Sequence, residues 1–399
     1  MTRIHLNVPQ LYNMNIVRPI TGFSADHLID RLGKARARLL NLIECLPADG
    51  WLGPRAEHLN PPLWEFGHIV WFQERWCLRA QPNDDIAPSL LTGADELYDS
   101  STVPHDTRWD LPLLKPAAVD DYAARVFAAI SARLRDNLTP ELAYFAELCI
   151  YHELMHIEAG WMAFQDLCYA VPAISGPVMQ PAPAARLVCA AGTAVLGSGP
   201  DEGFVFDNEK WRHEIAVPAF EIDAQPISQL EFADFVDAGG YQQDAGWSAA
   251  GLAWRQTWKA THPVYWKKVD SAWQVRWFDA WAPLEPHAPM LHVNRFEAEA
   301  CAHWLGRQLP TAGQWLRAAA LKEFHWGMAW EWLREPFTPY PGFAADPYAD
   351  YSAPWFHTHG ELRGGGPFTD PSLKRVGFRN FYLPHRRDAF AGFRTVSRD

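Results

Sequence analysis

The chain has 399 residues, enough for two or three domains. Hydrophobic residues make up 48% and charged residues 21%, ordinary globular usage that excludes a disordered, collagen-like or coiled-coil chain. With 35 basic against 47 acidic residues the net charge is −12, so the chain lacks the electrostatic footprint of a duplex-binding protein. No apolar run approaches the ~18 residues that cross a bilayer, and neither a nucleic-acid nor a membrane partner is expected. The 6 cysteines form no CxxC and follow no regular spacing, unlike a disulfide framework or a thiolate zinc site. Met1 to Phe23 has no apolar core of the signal-peptide type, so a reducing cytoplasm is the expected compartment.

In chain order, residues 25–46 carry apolar positions at three- and four-residue spacing and predict a helix. A second helix starts at Asn60-Pro61-Pro62, an N-cap with proline in the first turn, and runs to about Ala80. A long loop over 81–116 follows, then a third helix over 117–137 and a fourth from Thr139-Pro140 to about Tyr169. Four amphipathic helices predict a four-helix bundle over 1–168. Residues 169–188, with Pro172, Pro177, Pro181 and Pro183, read as a linker. From 189 to 399 short β-like pieces alternate with turns, as in AAGTAVLGSG and HEIAVPAFEID. Helices are expected there only at about 294–305 and 311–321, and 322–399 shows no clean period. An α+β domain with much irregular chain is therefore expected. Of the 20 tryptophans, fourteen lie after residue 188, so the two halves are differently built.

The sharpest local feature is His152-Glu153-Leu154-Met155-His156. On a helix, residues i and i+4 share a face, so both imidazoles can reach one metal ion. Phe145, Cys149, His152, His156, Ala159 and Ala163 form the inward stripe of that helix, and on the second helix His68 lies on the stripe of Trp64 and Trp71/Phe72. Three histidines from two helices would make a three-nitrogen site. The pair also matches HExxH, which would make Glu153 the general base of a zinc hydrolase. The extended form HExxHxxGxxH fails, because Ala159 and Met162 stand where Gly and His are needed.

NPPLWEFGHIVWFQERWCLR (60–79) and HELMHIEA (152–159) resemble the DinB-type bundle of the ergothioneine sulfoxide synthase family. The second half resembles the formylglycine-generating-enzyme type, or C-type-lectin-like, domain of the same proteins. The resemblance is carried by FVFDNEKWRHEI (204–215), PISQLEFADFVDAGGY (226–241), HVNRFEAEACAHWLGRQLPT (292–311), WEWLREPFTPYPGF (330–343), PYADYSAPWF (347–356) and FRNFYLPHRRDAFAGFR (378–394). It implies a non-haem Fe(II) enzyme that uses O2 to join a chalcogen atom to the imidazole of hercynine, Nα-trimethylhistidine. It places the iron ligands on His68, His152 and His156, and the catalytic tyrosine on Tyr348. Tyr351 matches a second active-site tyrosine, and Asn380 falls where the family contacts hercynine. Formylglycine-generating activity itself needs a late cysteine pair, whereas the last cysteine here is Cys301.

Within the family, Met155 and the run Asn380-Phe381-Tyr382 depart from the mycobacterial type, which carries Gln and Asn-Trp-Asp there. Together with HDTRWD (105–110) and YSAPWFHTH (351–359), they resemble the selenoneine synthases, which join hercynine to a selenosugar. A neutral aromatic pair at Phe381 and Tyr382 suits a sugar face. Ergothioneine-type use of cysteine or γ-glutamylcysteine stays open, with Arg79, Arg108, Arg379 and Arg386 available to a donor carboxylate. A non-enzymatic reading, in which a lectin-like domain presents a ligand, also stays open.

Overall fold

The computed structural model describes residues 24–80, 86–172, 174–179 and 185–398. The expectations for Met1 to Phe23, and for Pro181 and Pro183, lie outside the described residues. The chain divides into two compact units, one of residues 1–157 with 346–349, the other of 158–345 with 350–399. The division falls inside one helix, between Ile157 and Glu158.

The first unit is built on α1 (Ala25–Ile43), α2 (Pro62–Glu74), α3 (Ala94–Tyr98), α4 (Pro116–Asp136) and the first part of α5 (Pro140–Asp166). Ser24 caps α1 by accepting the His27 N–H, and Leu28, Leu32, Ala35, Leu39 and Leu42 form its buried stripe at helical spacing. Helix α2 is buried from Trp64 to Glu74 on nearly every face, which marks it as the central helix of the bundle. It ends earlier than its apolar pattern predicts, because Arg75–Arg79 wind as a π-helical turn. The loop expected over 81–116 holds α3 and a 3₁₀ turn at His105–Thr107.

Three buried carboxylates inside the bundle find donors. Glu153 accepts from Arg36 at 2.7 Å and from Gln73 at 2.7 Å, and Glu147 accepts from Arg31. Glu74 accepts from the Tyr122 hydroxyl at 2.6 Å and from Ser89 at 2.6 Å. A buried carboxylate stripped of such donors would cost far more than any pair returns, so these networks fix the order of the helices. The tetrapeptide 346–349 belongs to this unit through Asp346, which accepts the Tyr144 hydroxyl of α5 at 2.8 Å.

The second unit is α+β. It holds β1 (Arg186–Cys189), β2 (Gly192–Leu196), β3 (His213–Val217), β4 (Phe220–Asp223), β5 (Trp266–Val269), β6 (Ala272–Trp277), β7 (Ala280–Pro283), β8 (Ala329–Pro336), β9 (Gly360–Gly365), β10 (Asn380–Tyr382) and β11 (Ala391–Gly392). Its helices are α6 (Gln229–Asp237), α7 (Ala249–Trp258), α8 (Arg295–Trp304) and α9 (Ala312–Ala319). Strands β10, β9, β8 and β11 form the largest sheet, in that order; β1 pairs with β4, β2 with β3, and β5–β6–β7 make a meander. The stretch 322–399, which shows no period in the sequence, therefore supplies the whole of the main sheet. Leu187, Ile222, Ala224, Trp315, Ala318, Leu333 and Val396 sit in the core beside it. Helices α6 and α7 were not expected. Each is capped by a serine, Ser228 accepting from Glu231 N and Ser248 from Gly251 N.

The last turns of α5 are fastened within this unit. Arg276 donates to the Gln165 carbonyl at 2.6 Å, and Tyr265 donates to Asp166 at 2.8 Å. Arg276 thus satisfies a carbonyl that the helix end leaves open and places a cation at its negative pole. All six cysteines are free thiols. Among the described residues no helix is long and apolar enough to cross a membrane.

Candidate functional site

His68 comes from the middle of the buried helix α2, and His152 and His156 from α5. Their ligand-capable nitrogens all lie within 4.8 Å of one another, and among the described residues no carboxylate or thiolate joins the group. Ring centroids are 5.1 Å apart for His68–His152, 5.1 Å for His68–His156 and 4.3 Å for His152–His156.

Each ring is held differently. His68 stacks on Trp64 with centroids at 4.9 Å and planes at 8°, and its Nδ1 lies 2.8 Å from the Tyr98 carbonyl. His152 stacks on Phe72 at 3.7 Å and 4°, and its Nδ1 is buried with no hydrogen-bond partner. His156 Nδ1 lies 2.5 Å from the Glu65 carboxylate. The acceptors beside His68 and His156 fix the proton on Nδ1 and leave each Nε2 as a lone pair. His152 Nε2 and His156 Nε2 stand 3.1 Å apart.

Burial lowers the His68 pKa to about 3, with His156 beside it as the next cause. Burial also takes His152 well below its ordinary value, reinforced by His156 and His68. His68 and His152 therefore present neutral imidazoles at neutral pH, the form a metal binds. An Nδ1 donated to a carbonyl or carboxylate is the outer partner that metal-bound histidines commonly have. The donor set fits a borderline divalent ion such as iron or zinc.

Glu153 of the HExxH run has no place in such a site. It is fully buried and its two oxygens are taken by Arg36 and Gln73, so it cannot serve as a general base. Tyr348 is in the same unit as the histidines, its ring edge-on to Phe72 at 5.0 Å and 6.4 Å from the His152 ring. Met155, half-buried, precedes His156 on α5.

The remaining expected residues belong to the second unit. Tyr351 stacks on Phe206 at 4.2 Å. Asn380 opens β10, donating to the Tyr382 hydroxyl at 3.2 Å and accepting the Phe381 N–H at 2.8 Å. Phe381 stacks on Phe337 at 4.3 Å. The Tyr382 ring lies under the Arg386 guanidinium at 5.0 Å, and burial pushes its phenol above the ordinary tyrosine value. Sequence reasoning put Phe72 on the stripe of His68 but not against His152, and it missed Glu65 and Tyr98. Of these two, Glu65 left a trace, standing three residues before His68 and so on the same face of α2.

Comparison with known proteins agrees with this architecture. Residues 31–159 match the DinB superfamily, and 175–329 match the sulfatase-modifying factor enzyme 1-like domain. The hercynine oxygenase of Mycolicibacterium thermoresistibile is 32% identical over 94% of this chain and 96% of its own length. That of Mycobacterium tuberculosis is 32% identical over 93% of this chain and 98% of its own. The formylglycine-generating enzyme of Streptomyces coelicolor is 28% identical, but over only 37% of this chain and 54% of its own. A DinB-type bundle with a buried three-histidine cluster is thus joined to a sulfatase-modifying-factor-type domain. The chain belongs to the hercynine oxygenase family, that of the ergothioneine sulfoxide synthases.

Proposed function

We propose that this protein is a non-haem iron oxygenase of hercynine that uses O2 to join a chalcogen donor to the imidazole ring, and that the donor is a selenosugar. In this reading residues 1–168 form the iron-binding bundle, 169–188 the linker and 189–399 the substrate domain. The observation that carries it is the cluster of His68, His152 and His156, in a chain similar over 94% of its length to a hercynine oxygenase. Fe(II) held there supplies the redox chemistry that O2 activation requires and that zinc lacks.

The chain's own groups have separable roles. His68, His152 and His156 hold the ion, and Phe72 keeps the His152 ring in plane. Tyr348 supplies a phenolic proton near the His152 side of the cluster. Asn380, Tyr382, Tyr351, Phe381 and Met155 are the candidates for holding hercynine and the donor. The aromatic faces of the second unit suit a trimethylammonium group.

The arginines bear on the donor. Arg79 is paired with Asp95 at 2.7 Å, Arg379 with Glu361 at 2.6 Å and Arg386 with Asp388 at 2.9 Å. Cations already paired are poor anchors for a donor carboxylate, which favours an uncharged sugar. Arg108 supports the second reading, a cysteine or γ-glutamylcysteine donor, because among the described residues it hydrogen-bonds neutral groups, Asn60 at 2.6 Å and the Val103 carbonyl at 3.3 Å, with Glu65 acting on it electrostatically.

One competition decides between them. Enzyme with Fe(II), O2 and hercynine receives equimolar selenosugar, cysteine and γ-glutamylcysteine, and the adduct is identified by mass. A selenium adduct is expected. A sulfoxide adduct as main product overturns the selenium assignment alone. Absence of O2 uptake with every donor overturns the oxygenase reading, and tight zinc uptake with peptide hydrolysis would replace it with the hydrolase.

A further inference from the structure

We propose that Glu65 is a positioning residue of the metal centre, fixing the tautomer and ring orientation of His156 and supplying a negative charge beside a site whose ligands are all imidazoles. The proposal rests on the metal-binding reading above. Its basis is an asymmetry among the Nδ1 atoms. His68 meets a neutral carbonyl at 2.8 Å, His152 meets nothing, and His156 meets a carboxylate at 2.5 Å.

The placement follows from the helices. Glu65 lies in the first turn of α2, one turn before His68, so a single face of α2 delivers a ligand and the carboxylate that orients a ligand of α5. The Glu65 side chain is mostly shielded, which strengthens its hold on the imidazole. The Arg108 guanidinium acts on it electrostatically and lies 3.8 Å over the Trp64 ring. An imidazole whose Nδ1–H is given to a carboxylate is a more basic donor through Nε2. His156 is therefore the strongest of the three ligands, and His152, whose Nδ1 has no partner, the least firmly oriented.

The test uses full-length, metal-stripped protein and Co(II) as a visible probe, titrated against a chelator. Glu65→Gln keeps an oxygen acceptor and removes the charge; Glu65→Ala removes both. Co(II) binding to Glu65→Ala should weaken about 10–100-fold, and to Glu65→Gln by less, as for other lost outer-shell partners. The ligand-field bands of bound Co(II) should shift in both variants, while the metal-free unfolding midpoints stay near wild type. Wild-type affinity and bands in Glu65→Ala overturn the proposal. So does a loss of affinity matched by an equal loss of metal-free stability, which would make Glu65 merely structural. Wild-type protein that binds no Co(II) would instead remove the metal centre itself.

Discussion

Phe72 offers the most direct test of how the first unit holds its histidines. It is fully buried, its ring parallel to His152 at 3.7 Å, edge-on to Tyr348 at 5.0 Å and tilted toward Trp76 at 6.1 Å. Phe72→Leu keeps an apolar side chain of similar bulk and removes the ring. Each aromatic pairing contributes about 0.5–1.5 kcal/mol beyond burial, and the three are not additive, so the metal-free protein should lose about 1–3 kcal/mol. Phe72→Ala opens a cavity as well and should cost about 3–5 kcal/mol. The diagnostic quantity is the stability added by metal. At a hundred times its Kd an ion adds about 2.7 kcal/mol, and a tenfold weaker site at the same concentration adds about 1.4 kcal/mol. Urea unfolding with and without Co(II) should show the smaller increment for Phe72→Leu, because His152 has no Nδ1 partner to replace the stack. An unchanged increment would refute the idea that stacking orients His152.

The other expectations are narrower. Gly67→Ala should destabilise by about 1–3 kcal/mol in urea unfolding, because the Tyr98 ring occupies the space a Cβ would take beside His68; an unchanged midpoint would show that α3 yields freely. Tyr348→Phe should keep metal binding and lose adduct formation in turnover, with O2 diverted to oxidising the donor; a wild-type product ratio by mass spectrometry would dismiss the proton-donor role. Burial raises the Glu297 carboxyl above the ordinary glutamate value, despite Arg387 and the Tyr241 hydroxyl that stabilise its charge. The folded protein therefore keeps a proton that the unfolded chain has released, and this group's contribution falls as pH rises from the ordinary value through the raised one. Glu297→Gln should flatten that decline in a plot of unfolding midpoint against pH, and parallel profiles for the two proteins would contradict it.

The helices of the first unit were legible because their stability signal is local. The stripe of α1, the Pro62 start of α2 and the i,i+4 pair on α5 are all written in residue spacing. Helix α6 was also legible in principle, since Ser228-Gln-Leu-Glu231 is a capping box, although the helix is short. The main sheet was not. Strand β9 is buried along its whole length and β8 along most of its own, so neither shows the alternation by which a half-exposed strand is recognised.

The same division runs through the site. Which nitrogens can converge is readable from the chain, since two helical periods put His68, His152 and His156 on inward stripes. Tertiary structure decided what surrounds them. Phe72 beneath His152, the Tyr98 carbonyl at His68 and Glu65 at His156 are neighbours of neighbours across separate helices, fixed by how α2, α3 and α5 pack. It also decided that Glu153 is spent on Arg36 and Gln73, a pairing across 117 and 80 positions that no local pattern encodes. Spacing along a helix repeats every turn and can be read from the chain; the partner that satisfies a buried charge depends on which helix lies opposite, and only the folded core settles that.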